Sequence, residues 1–305
     1  MRASGFALAA AALVAALPAS ADTDWTPITF RQVSYTRPFV PVRLNGQLFL
    51  FMVHAQAGFY LQTNHANAAA AKVTLSGPKT SYGIERSGKV SALGRSAGTV
   101  GTLSVGRDKV ANAPATIFET PQDFEDGRGM DGMLGMLWLR ARRVIVDYDR
   151  YRIGIPDTPA DAEAERAALL ARGYVAHRLA WDEERREYHV AALVGGKPAR
   201  LAISTVGITN LDKRFADSSG IALGPVVNVE GGPGGALVDA YLVKRPLVVT
   251  IEGQALAPIQ PQSWNRDAYA SRTTRSPDDG ALGADFMLAN QAVIDFGTGW
   301  LYLRS

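Results

Sequence analysis

Beyond its first two dozen residues the chain is dominated by apolar and polar side chains alternating with a period of two, the pattern of half-buried strands. Val40, Val42 and Leu44 alternate with Pro41 and Arg43, then Asn45-Gly46 interrupts and a mainly apolar run leads from Gln47 to Val53. Asn-Gly between two such runs marks a hairpin turn that needs positive φ. The run stops abruptly at a small-residue loop, His54-Ala55-Gln56-Ala57-Gly58, with one ionisable side chain. About 150 residues later the pattern returns: Val194, then Gly195-Gly196 as the turn, then Lys197 to Ile203 and the loop Ser204-Thr205-Val206-Gly207. Further short strands are expected over 99–105, 115–118, 237–243 and 247–251, each bounded by turn residues.

The recurrence extends to two later blocks. Asp131-Gly132-Met133-Leu134-Gly135 precedes Val144-Ile145-Val146-Asp147-Tyr148; Asp279-Gly280-Ala281-Leu282-Gly283 precedes Ala292-Val293-Ile294-Asp295-Phe296. The offsets are 150 residues (Gly46 to Gly196), 148 (Gly135 to Gly283) and 148 (Asp147 to Asp295). Three blocks in one order at a near-constant offset make this a duplicated domain. One long helix is expected, between the copies. Thr158 is a good N-cap, Pro159 suits the first helical position, Asp161 completes a capping box, and Gly173 fits the C-terminal end. Its acidic and Arg residues form a solvated face, so the helix reads as a linker.

The first 21 residues change the picture by breaking the pattern. Arg2 followed by an apolar stretch over 6–17 and by Pro18-Ala19-Ser20-Ala21 has the form of an export leader, cleaved to leave Asp22 first; a retained anchor is the alternative. The chain has no Cys, so neither disulfides nor thiolate chemistry is available. With 20% charged residues and a net charge of +3 from interspersed signs, it carries no basic stripe for nucleic acid. None of the four histidines, 54, 65, 177 and 189, has a spacing suited to a metal site, and no cofactor motif stands out.

The succession of strand, turn, strand and small loop, then Gly-rich hairpin, then Leu134-Gly135 or Leu282-Gly283 and a closing strand pair resembles the retropepsin-like aspartic proteases. The likeness is to the tandem form found in exported bacterial proteins, and it covers 36–305. It implies an all-β fold of two retropepsin-like β-barrel lobes in one chain. The first lobe would span 22–156 and the second 174–305, joined by a linker helix over 157–173 and paired about a pseudo-dyad. It further implies one Asp per lobe, each from a D-[ST]-G-[AS] loop, and a groove for an extended peptide under hairpin flaps. The Gly-rich stretches 94–101 and 231–235 stand where the flap hairpin and its counterpart would be, which makes Gly94 and Gly234 candidate peptide contacts beside Gln56 and Thr205.

The departure from that pattern falls on the chemistry. The first loop reads His54-Ala55-Gln56-Ala57 and the second Ser204-Thr205-Val206-Gly207, so neither has the Asp. Thr205 alone keeps the hydroxyl that in the family bonds across the loops. Two close carboxylates sharing a proton are what the aspartic mechanism needs, and His54 with Ser204 does not reproduce them. Asp131, Asp147, Asp279, Asp285 and Asp295 read as structural acceptors. Three expectations remain: a degenerate protease that still binds peptide or protein segments; an enzyme, either a residual peptidase or a hydrolase using His54 and Ser204 as a base–nucleophile pair; or a purely structural or assembly role with no ligand. Phe59, Tyr60, Trp264 and Tyr269 are candidates to line a cleft, with core or rim packing as the alternative.

Overall fold

The computed structural model describes residues 22–33, 35–80, 91–120, 129–232, 234–270 and 276–304. The leader expected over 1–21 lies outside the described residues. Among those described, no helix is long and apolar enough to cross a membrane.

Both expected hairpins form. Strands Tyr35–Leu44 and Gln47–His54 pair antiparallel around Asn45 and Gly46, with φ of 48° and 88°. Strands Glu187–Val194 and Lys197–Ile203 pair around Gly195 and Gly196, with φ of 57° and 80°. Each hairpin sits in its own large sheet, one of eight strands and one of ten. In both sheets the strand that ends at the small loop also pairs in parallel with the strand of the Leu-Gly block: Gln47–His54 with Gly132–Gly135, and Lys197–Ile203 with Gly280–Leu282.

A third, six-stranded sheet joins the halves. Its centre is the antiparallel pairing of Ile145–Asp147 with Val293–Asp295, in register Ile145↔Asp295, Val146↔Ile294 and Asp147↔Val293. Two flanking bonds repeat the symmetry: Tyr148 N–H donates to Ala292 O at 2.9 Å and Phe296 N–H to Val144 O at 3.0 Å. A pseudo-twofold therefore passes between Val146 and Ile294. The outer strands match as well, Thr23–Pro27 beside Arg152–Pro156 and Tyr174–Arg178 beside Trp300–Arg304.

Alternation decides which side chains are buried where. In Gln47–His54, Phe49, Phe51 and Val53 enter a main core that also holds Trp138, Tyr148, Leu201, Phe286, Ile294 and Phe296, residues of both halves. Met52, from the opposite face, joins Phe39, Phe118, Met130, Met133 and Val206 in a smaller cluster on which Leu50 and Phe59 pack. The connecting helix runs from Pro159 to Ala171, and its capping box is complete: Thr158 Oγ1 accepts from Asp161 N–H while the Asp161 carboxylate accepts from Thr158 N–H.

Some local expectations shift. Gly98 and Gly101 lie inside strand Arg95–Val105, because this arm of the hairpin is longer than the glycines imply. Of the chain that joins this strand to Thr74–Thr80, residues 81–90 lie outside those described. Leu247 is not in the strand Val249–Ile251 but forms an isolated bridge with Ile259.

Candidate functional site

The loops 54–57 and 204–207 meet at the junction of the halves, and Thr205 makes the junction. Its Oγ1 accepts from Ala55 N–H at 2.9 Å and donates to Val53 O at 2.7 Å. Tyr148, buried on the six-stranded sheet, donates its hydroxyl to Thr205 O at 2.7 Å. Burial pushes that phenol well above its usual range, which keeps it a donor. Gly207 N–H reaches Thr36 O at 3.4 Å, a further tie between the halves.

Each loop is also braced from its own side by the helix that follows the Leu-Gly block. Met136 N–H donates to Ala57 O at 2.8 Å, and Ala284 N–H to Gly207 O at 2.9 Å. Those helices, Met136–Ala141 and Ala284–Ala289, have Gly135 and Gly283 as N-caps with no side-chain cap bond, so their free amides are used on the loops. Only glycine fits there: a Cβ on Gly135 would lie 2.2 Å from Phe59 O and 2.6 Å from Ala57 O, and one on Gly283 2.6 Å from Gly207 O.

His54 ends its strand, partly buried. Its Nδ1 accepts from Gln56 N–H at 3.3 Å, which leaves the ring proton on Nε2. Burial, and after it the positive charge of Arg37, lower its pKa to about 3, so the imidazole is neutral at physiological pH. Ser204 is 2% exposed, and its hydroxyl is turned into its own loop. It donates to Val206 O at 2.9 Å and accepts from Val206 N–H at 3.2 Å. No hydrogen bond joins His54 to Ser204; each is bonded to the backbone two residues on.

The carboxylates named from the sequence are engaged elsewhere. Asp131 accepts from Leu50 N–H and Asp279 from Arg200 N–H, at 2.9 and 3.0 Å, in matching positions of the two halves. Asp147 takes Arg150 N–H and Arg152 Nε, at 3.0 and 3.2 Å. Asp295 takes the N–H groups of Gly297 and Thr298, and its pKa is raised by burial. Asp285 accepts both N–H and hydroxyl of Thr209, at 2.7 and 2.8 Å, and burial raises its pKa too.

Of the proposed peptide contacts, Gln56 is partly exposed beside His54, whereas Thr205 is wholly buried with its hydroxyl spent on the first loop. Gly94, at φ 63°, precedes strand Arg95–Val105, and a Cβ added to it would meet Thr80 O. Gly234, at φ 73°, lies in the turn between strands Leu223–Gly231 and Leu237–Val243. Phe59 packs edge-on to Phe118, Tyr60 against the main core, and Trp264 near Tyr269. The other histidines have local partners: His65 with Glu119, buried His177 with Glu252 and Gln254, and His189 with Arg200. Among the described residues no group of three or more His, Cys, Asp or Glu is placed to hold a metal ion.

Tyr148 is a site residue that its motif does not announce. The closing strand shows as an apolar run, and only the tertiary structure aims its hydroxyl at the opposite loop.

No family model and no curated protein matches the chain. Solved structures do. The aspartic proteinase from Irpex lacteus aligns with 93% of this chain and 97% of its own, with a TM-score of 0.52 and 8% identity. Basic 7S globulin from soybean aligns over 93% and 95%, with a TM-score of 0.46 and 12% identity. A retropepsin-like aspartic protease from Rickettsia conorii covers 45% of this chain and 93% of its own, with a TM-score of 0.31 and 14% identity. At such identities likeness speaks for fold alone, and with the six-stranded sheet between matching halves it gives one conclusion: the chain has the two-lobed aspartic-protease fold.

Proposed function

We propose that this is an exported, periplasmic or secreted, aspartic-protease-like protein without the catalytic Asp pair, which binds extended peptide or protein segments in the groove between its lobes. The observation that carries the reading is the state of the two loops. They are joined as a catalytic centre would require, yet one tip carries a neutral imidazole and the other a hydroxyl bonded into its own loop.

Water attack on a peptide carbonyl in this fold needs one carboxylate as base and its partner as proton donor. Here no carboxylate stands at either tip. Removing one member of a catalytic unit commonly lowers the rate by about 10³–10⁶, and this site lacks both. Nor does the geometry favour a Ser–His nucleophile. The Ser204 hydroxyl donates its proton in a hydrogen bond to Val206 O, and the His54 lone pair at Nδ1 is taken by Gln56 N–H. What remains is a pair of loops braced to each other and to the helices behind them, and the extended segment of this reading would be held over them by strand addition. No cofactor enters this reading.

The test is a peptide library incubated with the protein over pH 3–8, with and without pepstatin. Retained peptides and no cleavage are expected; turnover blocked by pepstatin overturns the proposal. The double substitution His54→Asp with Ser204→Asp should retain the same peptides. Failure of both proteins to retain any leaves the groove without a ligand and refutes the binding half.

A further inference from the structure

Asp22 is fastened to the fold by its backbone and its side chain. Its N–H donates to Asp161 Oδ1 at 3.1 Å, its carbonyl accepts from Asp157 N–H at 3.3 Å, and its carboxylate takes Arg107 at 3.0 Å. The next residue begins strand Thr23–Pro27 at the edge of the six-stranded sheet. Asp161 is the capping-box acid of the helix Pro159–Ala171, and its other oxygen accepts from Thr158 N–H at 2.9 Å and Thr158 Oγ1 at 2.6 Å. One carboxylate thus holds both the start of the connecting helix and the start of the first strand. The bonds from Thr158 and Asp22 keep it below the usual carboxylate range. The corner is rich in acid: Asp22, Asp24, Asp157 and Asp161 belong to it, and Arg107 is the cation paired with both Asp22 and Asp24.

The leader pattern places cleavage between Ala21 and Asp22. We infer that processing at this bond seats a new α-ammonium on Asp161, an ion pair that only the mature chain has and that ties the edge strand of the inter-lobe sheet to the connecting helix. A signal peptidase hydrolyses the Ala21–Asp22 peptide bond with one water. Ala21 departs with the new carboxylate, and the Asp22 nitrogen becomes an amine that is mostly protonated at neutral pH. No rearrangement is needed, because that nitrogen already lies within bonding distance of Asp161 Oδ1. A neutral N–H donor becomes a charged one, which strengthens the bond, and the acidic corner gains a compensating charge. The ammonium meets the carboxylate and not the helix amides, so Asp161 stands between it and the positive end of the helix. The site is exposed, and exposed pairs change a folding constant by no more than about fivefold. The inference rests on the leader and is independent of whether the groove binds peptide.

The test begins with the exported protein, whose first residue is read by N-terminal sequencing; Asp22 is expected. A chain beginning at Asp22 and one retaining Ser20-Ala21 are then compared, each with and without Asp161→Asn. The substitution removes the capping-box carboxylate from both while the Thr158 cap stays, so the difference isolates the ammonium. The folding constant should fall about two- to fivefold further in the chain that begins at Asp22, and the excess should vanish in about 1 M salt. Should the variants not fold, acetylation of the α-amine of the mature chain serves instead and should give the same two- to fivefold loss. A different first residue, equal losses in both chains, or no effect of acetylation overturns the inference.

Discussion

At the scale of single residues the junction between the loops is lopsided. The pseudo-twofold pairs Thr205 with Ala55 and Tyr148 with Phe296, and on each pair only one member carries a hydroxyl. Both hydroxyls serve the second loop: Thr205 grips the first loop from it, and Tyr148 holds its backbone. Replacing Thr205 by Val keeps the volume and removes both cross-loop bonds, leaving a buried N–H and C=O without partners. The expected loss is about 2–4 kcal/mol, measured by urea unfolding. His54 has a consequence for pH. With a folded-state pKa of about 3 against 6.5 for the free group, the unfolded chain takes up a proton between those values that the folded chain refuses. Stability contributed at this position therefore falls as pH drops through that window and is fully present above it. The His54→Asn variant should show a shallower decline of Tm from pH 6.5 to 3 than the parent; parallel curves would contradict the assignment.

At the scale of elements, glycine and capping positions carry the argument. The Leu-Gly blocks are recognisable because the chain after Gly135 and Gly283 must pass within van der Waals contact of loop carbonyls. Gly135→Ala forces those carbonyls away and should cost more than about 2 kcal/mol, with loss of the Met136–Ala57 bond visible as faster amide exchange at Met136. The connecting helix shows the opposite, purely local logic. Thr158, Pro159 and Asp161 specify its start without help from the rest of the fold, and Thr158→Ala should lower stability by about 1 kcal/mol and leave the loops unchanged.

At the scale of the whole molecule the two halves share one core. Trp138 and Tyr148 from the first half lie in the same buried cluster as Leu201, Phe286 and Phe296 from the second, beneath strands that pair across the pseudo-twofold. Lobes coupled in this way should unfold together. Calorimetry is expected to give one transition whose measured and van't Hoff enthalpies agree; two separate transitions would show that the lobes are independent.

The sequence by itself determined the duplication, the hairpins and the connecting helix, because each depends on spacing or turn chemistry that operates over a few residues. Asn45-Gly46 and Gly195-Gly196 take left-handed backbone at no great cost, and apolar alternation assigns faces wherever they occur. It also located His54 and Ser204 as equivalent loop positions. It did not reveal what their side chains do. Whether Ser204 faces a base or its own backbone and whether His54 is charged depend on how the loops are buried, and the hydroxyls of Tyr148 and Thr205 reach groups 57 and 150 residues away in the chain, whose approach is set by the packing of the lobes. Hydrogen-bond partners and desolvation are properties of the assembled junction. Only the tertiary structure could decide that the junction of the loops is held together by one threonine and carries there a neutral ring and an inward-turned hydroxyl.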